Sequence, residues 1–426
     1  MELYLCSLVL GLLLLVPLVL KTFFPYVWLD VSFVVDILRI FVAFVSRRRR
    51  KPTFFALDRF LEQVAAVPEK PFVVFGDESF TFALADEQSN RIANALRAHP
   101  GYTAGDTVAL FMGNEPAFVT TWLALAKLGS PVALLNSNIR SKSLLHCFSC
   151  CKATVLIAAS ELRNAVEDVL SSLTERGTTI LLMSKHCDTP GIQGFSALVE
   201  DASVAPLPRS LRSHITYKSP AVYIYTSGTT GLPKAAVLNQ NRLLSALAVL
   251  SSNGITSKDV FYLNLPLYHT AGFIVGFIGC IETGSTIILK KKWKGENVAT
   301  TEVSDILTLS GCLQEANVYG VQVPGHEGRI GMAAVTLKND AELDGRRMYQ
   351  HVVSYLPSYA RPRFIRIQDA MEVTGPFKQM KVKLMEQGFD PGSIQDPLYI
   401  LDDRAESYVL LTDDIYKSIM SGNIKL

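Results

Sequence analysis

The ten residues Tyr225-Thr226-Ser227-Gly228-Thr229-Thr230-Gly231-Leu232-Pro233-Lys234 form the stretch of this chain richest in hydrogen-bond donors. Two glycines let backbone N–H groups converge on one concavity. Hydroxyls and one ammonium join them, and no carboxylate does. Such a donor set takes an anion, and a polyphosphate fits it best. The spacing is not that of a Walker A loop. That loop needs four residues between its glycines and a Ser or Thr after the Lys. Here two residues separate Gly228 from Gly231, and Ala235 follows Lys234. Two further residues could do chemistry. His269 sits in "LPLYHTAG", and Lys378 sits in "TGPFKQMKVKL" with Lys381 and Leu384 at three-residue steps. By residue type alone, His269 reads as a buried histidine after a strand and Lys378 as a solvated charge.

The elements around the donor-rich stretch indicate how it is held. The apolar run "AVYIYTS" leads in as a strand, and an apolar helix, roughly Leu243 to Leu250, follows. Upstream, "TVALFMG" and "PVALLN" read as buried strands. Between them "EPAFVTTWLALAKLG" has helical periodicity and ends in Gly129, a helix-terminating glycine. "TVLIAA", "TTILLMS", "VFYLNLP" and "STIILKK" are further short apolar runs, mostly separated by helix-like or polar segments. Repeated strand–helix–strand spacing predicts a largely parallel sheet with both faces covered. From about Lys294 a smaller α+β unit is expected. Its strands are "NVYGVQVP", "GRIGMAAVTLK" and "PRFIRIQD", and its helix is "DGRRMYQHVVSYLP".

The 426 residues exceed one ordinary core and imply two or three domains. With 49% hydrophobic and 19% charged residues the chain is globular or membrane-associated. A net charge of +2 gives no general reason to expect nucleic acid as a partner. Seven cysteines form no disulfide framework. "HCFSCCK" has a C-x-x-C spacing, but no second ligand pair follows, so reduced thiols packed in a helix and no metal site are expected. The first fifty residues are different. Leu3 to Leu20 is uncharged and just long enough to cross a bilayer as a helix. Phe23, Phe24, Tyr26 and Trp28 suit an interfacial belt. A second apolar run, Val31 to Val45, contains Asp36 and Arg39 and suits a segment lying on the membrane. Arg47 to Lys51 then favours a cytoplasmic body. The expected units are therefore a membrane anchor and basic flank at 1–51, a large α/β domain at 52–293, and a small α+β domain at 294–426.

At "YTSGTTGLPKAAV" the sequence closely resembles the phosphate loop of the adenylate-forming superfamily, which includes the acyl-CoA synthetases. Other segments agree in order. "GDTVALFMGNEPAFVTTWLALAKLG", "NIRSKSLLHCF", "WKGENVATTEV", "VYGVQVPGHEGRIGMA", "LPSYARPRF" and "TGPFKQMK" resemble the fatty-acid transport protein, or very-long-chain acyl-CoA synthetase, branch. The resemblance implies the adenylate-forming fold, a large N-terminal α/β domain followed by a small α+β domain. It implies ATP, coenzyme A and Mg2+ as cofactors, a fatty acid as substrate, and a membrane location at the endoplasmic reticulum, plasma membrane or peroxisome; a homo-oligomer is compatible with it. Tyr223, Ile224, Tyr225, Thr226, Ser227, Gly228, Thr229, Thr230, Gly231, Leu232, Pro233 and Lys234 match the nucleotide-binding segment. His269 matches a position lining the acyl and adenylate pocket. Lys378 matches the catalytic lysine, and Glu302 an acidic position near the domain junction.

The same resemblance exposes a gap. Between "ILKKK" and "WKGEN" the family carries a further stretch that contacts adenine and ribose and supplies a magnesium carboxylate. This chain runs directly from Lys290 to Trp293. A domain-sized piece, on the order of 200 residues, is skipped there. Removing the strands it contains is expected to leave unpaired edges and an uncovered apolar face.

Overall fold

The computed structural model describes residues 4, 11, 15–19, 21–24, 26–226, 233–252, 254–291, 300–326, 328–338, 341–356, 358–370, 373–374, 378–379 and 381–424. Three large sheets and a two-stranded ribbon organise them. The largest has seven strands in the order Gln193–Gly194, Thr179–Met183, Val155–Ala159, Val108–Phe111, Val132–Leu135, Pro220–Thr226 and Lys234–Asn239. Every pairing is parallel except the last, which is antiparallel. The second sheet runs Val260–Leu263, Thr286–Leu289, Pro71–Phe75 and Glu78–Thr81, with only the final pair antiparallel.

The four residues of Val108–Phe111, like those of Val132–Leu135, are all buried. That is the signature of strands covered on both faces. The helix Pro116–Leu128 begins with Pro116 at a position that needs no N–H, and ends at Gly129 with φ 77°. Almost all of it is buried. Its Trp122 packs edge-on to Phe273 and Phe277, with ring centres 5.4 and 5.1 Å away. Phe60, Phe72 and Phe82 extend the same core, which embraces both sheets. Lys127 is buried in it and donates to Asp86 Oδ1 at 2.6 Å, Ser89 Oγ at 2.6 Å and Asn90 Oδ1 at 2.7 Å. The hairpin Pro71–Thr81 and the helices Ala56–Ala66 and Phe82–Ala98 had no counterpart in the strand and helix assignments made from sequence. Thr81 caps the second helix by accepting from Leu84 N at 3.1 Å.

The third sheet is ordered Leu313–Val321, Ile330–Leu337, Phe364–Ile367, Leu398–Asp402 and Ser407–Leu410. Its second strand, Ile330–Leu337, alternates as a two-sided strand must. Ala333 and Val335 enter a core with Ile306, Leu307, Met348 and Val352. Met332 and Ala334 enter another with Phe364, Leu384 and Phe389. This unit meets the seven-stranded body where helix Gly345–Tyr355 packs on helix Ser141–Cys150. Lys142 Nζ lies 5.7 Å from the Tyr355 ring centre there.

The N-terminal expectations fare unevenly. Leu3 to Leu20 lies largely outside the described residues. Val31 to Val45 lies within one helix, Val27–Arg48, that buries none of its residues. Among the described residues no helix is long and apolar enough to cross a membrane. Asp36 and Arg39 pair with each other at 3.1 Å within it. A second correction concerns the donor-rich stretch. It is followed first by the strand Lys234–Asn239, and only then by helix Gln240–Leu250. "KAAVLN" has little intrinsic strand preference, and its conformation comes from pairing with Pro220–Thr226.

Candidate nucleotide and acyl site

Six parallel strands of the large sheet end on one edge. Chain order places Val132–Leu135 on one side of Val108–Phe111 and Val155–Ala159 on the other. In open α/β sheets the crevice outside the carboxyl ends at such a reversal is where ligands bind. The loops that open there carry Asn114, Asn138, Glu161 and the stretch from Thr226 to Lys234.

That stretch is the turn of an antiparallel hairpin, with Tyr225 opposite Ala235 and Thr226 opposite Lys234. Its tip, residues 227–232, lies outside the described residues, so Ser227, Gly228, Thr229, Thr230, Gly231 and Leu232 have no placement here. The flanks do. Ile224 is buried, while Tyr223 and Tyr225 are half-buried. Tyr225 donates its phenol to Cys147 O at 2.5 Å. Burial, then the Cys151 thiol beside it, pushes that phenol far above its ordinary pKa, so it remains a donor. On the far arm His146 Nε2 lies 3.0 Å from Pro233 O. A carbonyl only accepts, so the proton is on Nε2. Helix Ser141–Cys150 thus holds both arms of the hairpin. Thr226 and Lys234 are exposed. Among the described residues Cys147 and Cys151 are buried near this helix and Cys150 is exposed, and none of the three is in a disulfide.

His269 is exposed, not buried as its residue type suggested. It occupies the turn between Val260–Leu263 and the π-helical segment Ala271–Ile278. Its N–H donates to Pro266 O at 3.0 Å, and its carbonyl accepts from Phe273 N at 2.8 Å. These bonds use the backbone to cap the following helix and leave the imidazole pointing to solvent. Gly272 is required there, because a Cβ would collide with Pro266 O.

Sequence reasoning missed the residue that fixes this turn. Asn114 is buried and spends its amide entirely on backbone. It accepts from Leu267 N at 2.8 Å and donates to Leu265 O at 2.9 Å and Lys290 O at 3.1 Å. It therefore ties the His269 turn and the end of strand Thr286–Leu289 to the end of Val108–Phe111. Asn138 Nδ2 adds a bond to Tyr268 OH at 3.2 Å. The available signal was a polar amide directly after a buried strand, in "ALFMGN". Close by, Lys291 pairs with Glu161. Burial raises the Glu115 pKa, Glu161 raises it further, and Lys291 opposes both.

Lys378 belongs to the C-terminal unit. Its backbone pairs with Thr374 in a two-stranded ribbon, and its side chain lies outside the described residues. The other members of its motif have structural places. Lys381 Nζ donates to Thr300 Oγ1 at 2.6 Å, with its pKa lowered by burial, and Leu384 is in the core. Glu302 is in helix Thr300–Thr308, with an undescribed side chain. The structure therefore brings the hairpin and the His269 turn to neighbouring loops, and places Lys378 on a separate unit. Among the described residues no group of three or more His, Cys, Asp or Glu side chains could hold a metal ion.

A family profile described as AMP-binding enzyme matches residues 60–307. A second, the AMP-binding enzyme C-terminal domain, matches residues 302–378. The rat (Rattus norvegicus) long-chain fatty acid transport protein 2 is 35% identical, over 97% of this chain and 98% of its own length. This chain belongs to the long-chain fatty acid transport protein family of AMP-binding enzymes. The human (Homo sapiens) member 6 is 31% identical over 95% of this chain and 97% of its own. The family's fold is also present in space. An o-succinylbenzoate CoA synthetase from Bacillus subtilis superposes with a TM-score of 0.58 at 15% identity, covering 76% of this chain and 97% of its own. An anthranilate CoA ligase in complex with anthranoyl-AMP gives 0.51 at 14% identity, covering 78% and 97%.

The alignment with the rat relative also measures the gap. It runs over 609 residues, whereas this chain has 426, so at least 183 aligned positions have no counterpart here.

Proposed function

We propose that this chain carries the architecture of an ATP-dependent long- or very-long-chain fatty acyl-CoA ligase that serves fatty-acid uptake and activation. The observation that supports this most directly is the antiparallel pairing of Pro220–Thr226 with Lys234–Asn239, which brackets the donor-rich sequence at the carboxyl edge of the parallel sheet. Membership of the family supplies the reaction. A carboxylate oxygen attacks the α-phosphorus of ATP, a new oxygen–phosphorus bond forms, and pyrophosphate leaves. The thiolate of coenzyme A then attacks the acyl carbon, and AMP leaves with the bonding pair. A free carboxylate is a poor acyl donor, and the adenylate step makes it a good one.

Roles for this chain's residues are carried over from the family resemblance. In this reading Thr226 and Lys234 offer a hydroxyl and an ammonium to the phosphates. The His269 turn borders the acyl side. Lys378, carried on the C-terminal unit, offsets charge that develops between carboxylate and α-phosphate. The chemistry of the family calls for magnesium, but the described residues hold no carboxylate cluster that fits it. The exposed helix Val27–Arg48, with Trp28, Phe33, Leu38 and Phe41 in solvent and Arg47 to Lys51 at its end, supports attachment to a membrane surface with the body on the cytoplasmic side.

A second reading is favoured by the 183 or more absent positions. In it the chain is a catalytically dead, membrane-attached remnant that only binds lipid or a partner. One assay separates the two. Labelled fatty acid, ATP and coenzyme A are incubated with the full chain, and thioester is counted. Thioester formation supports the ligase. Its absence supports the second reading.

A further inference from the structure

We propose that strand Val260–Leu263 pairs edge to edge with the same strand of a second copy of this chain, joining two four-stranded sheets into one. The inference is independent of the ligase reading. It starts from how the other sheet edges are protected. Glu78–Thr81 begins with an exposed glutamate, and Gln193–Gly194 is only two residues long. Lys234–Asn239 starts with an exposed lysine, and Arg242 Nη1 donates to its Val237 O at 3.2 Å. On the third sheet, Ser304 Oγ donates to Ala316 O of one edge strand. Gly345 of helix Gly345–Tyr355 sits against Tyr408 O of the other. Charge, brevity and side-chain caps are the usual defences of an edge.

Val260–Leu263, four residues long, carries no charge, and among the described residues no side chain caps it. It pairs with Thr286–Leu289 on one side, and no described strand lies on the other. Its four residues are Val, Phe, Tyr and Leu, with no charge, proline or bulge. The strand also lacks polar alternation. Leu263 is buried and Phe261 packs on the core, yet Val260 and Tyr262 on the opposite face are 57% and 61% exposed. A strand apolar on both faces belongs inside a sheet. The relatives carry 183 or more positions that this chain does not. In this chain nothing described replaces them.

The strand's own sequence argues for a second copy as the occupant. A two-fold axis perpendicular to the sheet keeps each face on its own side. With the axis at Phe261, Val260 of one copy stands opposite Tyr262 of the other, and the reverse. Aromatic and β-branched residues are favourable directly opposed partners. The outer face then carries two Val–Tyr pairs, and Phe261 meets Phe261 on the core side. No like charges are opposed anywhere in the four-residue register.

The test uses the full chain in detergent micelles, with the mass of the protein part measured by light scattering after gel filtration. The expected result is a dimer that Tyr262→Lys converts to monomer without loss of far-ultraviolet circular dichroism. A cross-linking arm tests the register, in chains whose exposed Cys150 is replaced by serine. A Val260→Cys preparation mixed with a Tyr262→Cys preparation should form the mixed disulfide in preference to the Val260→Cys self-disulfide. A monomeric wild-type chain overturns the proposal. So does a dimer untouched by Tyr262→Lys, or a cross-link with no preference for the mixed pair.

Discussion

Arg47 Nη2 stands 2.5 Å from Glu282 Oε1, at the point where the exposed N-terminal helix meets the body. Glu282 is only 4% exposed, and Arg59 Nη2 donates to its carbonyl at 2.7 Å. The junction is thus a buried carboxylate between two guanidinium groups. Burial nevertheless raises the Glu282 pKa against the opposing pull of Arg47 and Arg59. A raised carboxylate pKa means that the charged form is the costly one in the folded state. Its contribution to stability is greatest below the unfolded pKa and is lost as pH rises through the folded one. Glu282→Gln removes that cost while keeping an oxygen for Arg47, whereas Glu282→Ala leaves the partly covered Arg47 guanidinium without its carboxylate. Chemical denaturation at neutral pH should show a loss of about 3 kcal/mol for Glu282→Ala and a clearly smaller change for Glu282→Gln.

His351 predicts a pH response of opposite sense. Its Nε2 donates to Ile306 O at 2.7 Å across the packed helices of the C-terminal unit. Burial lowers its pKa, Lys142 and Arg347 lower it further, and only the Ile306 bond opposes. The unfolded chain therefore takes up this proton first as pH falls. Stability is lost from the unfolded value of about 6.5 downward, until the lowered folded pKa is reached. Melting temperatures measured between about pH 7.5 and about pH 5.5 should fall more steeply for the wild type than for His351→Gln. Parallel curves would show that His351 does not titrate differently in the two states.

Membrane attachment rests on the first fifty residues. A chain starting at Pro52 loses the exposed helix Val27–Arg48 and its arginines. It should appear in the supernatant of a carbonate wash, with the full chain retained in the pellet. Equal release of both would remove the helix as the attachment site.

How far the sequence could be read depended on what set each element. Val108–Phe111 and Pro116–Leu128 were legible because a wholly apolar strand, an N-terminal proline and a left-handed Gly129 are local signals. Lys234–Asn239 was not legible, since it is a strand only by virtue of its partner. The His269 turn was recognisable as a motif, yet its exposure and its tether to Asn114 are tertiary facts that link residues some 150 positions apart. The open edge at Val260–Leu263 was expected in kind from the skipped segment, but not in place. Locating it needed the strand order.

Any nucleotide contact should depend on the hairpin tip. A β-branched residue at Gly231 would block donors that only bare backbone can present. Gly231→Val should abolish binding of a fluorescent ATP analogue to the full chain, with circular dichroism unchanged. Undiminished binding would move the nucleotide site elsewhere.

The skipped segment makes the most demanding prediction. By family resemblance it holds the adenine and ribose contacts and the magnesium carboxylate, and the alignment shows at least 183 positions without counterpart. Each such contact is ordinarily worth a few kcal/mol of binding or transition-state energy. Losing several together, at about tenfold in rate per 1.4 kcal/mol, places adenylation many orders of magnitude below that of a complete relative. Lys378 then has little developing charge to offset. The 426-residue chain should form negligible acyl-CoA, and Lys378→Ala should reduce it no further. Inserting the corresponding segment of a relative between Lys292 and Trp293 should restore turnover. With it should come a strong dependence on Lys378 and, because Val260–Leu263 regains a neighbour within its own chain, loss of the dimer. Robust ligase activity from the shorter chain, abolished by Lys378→Ala, would refute this account of the gap.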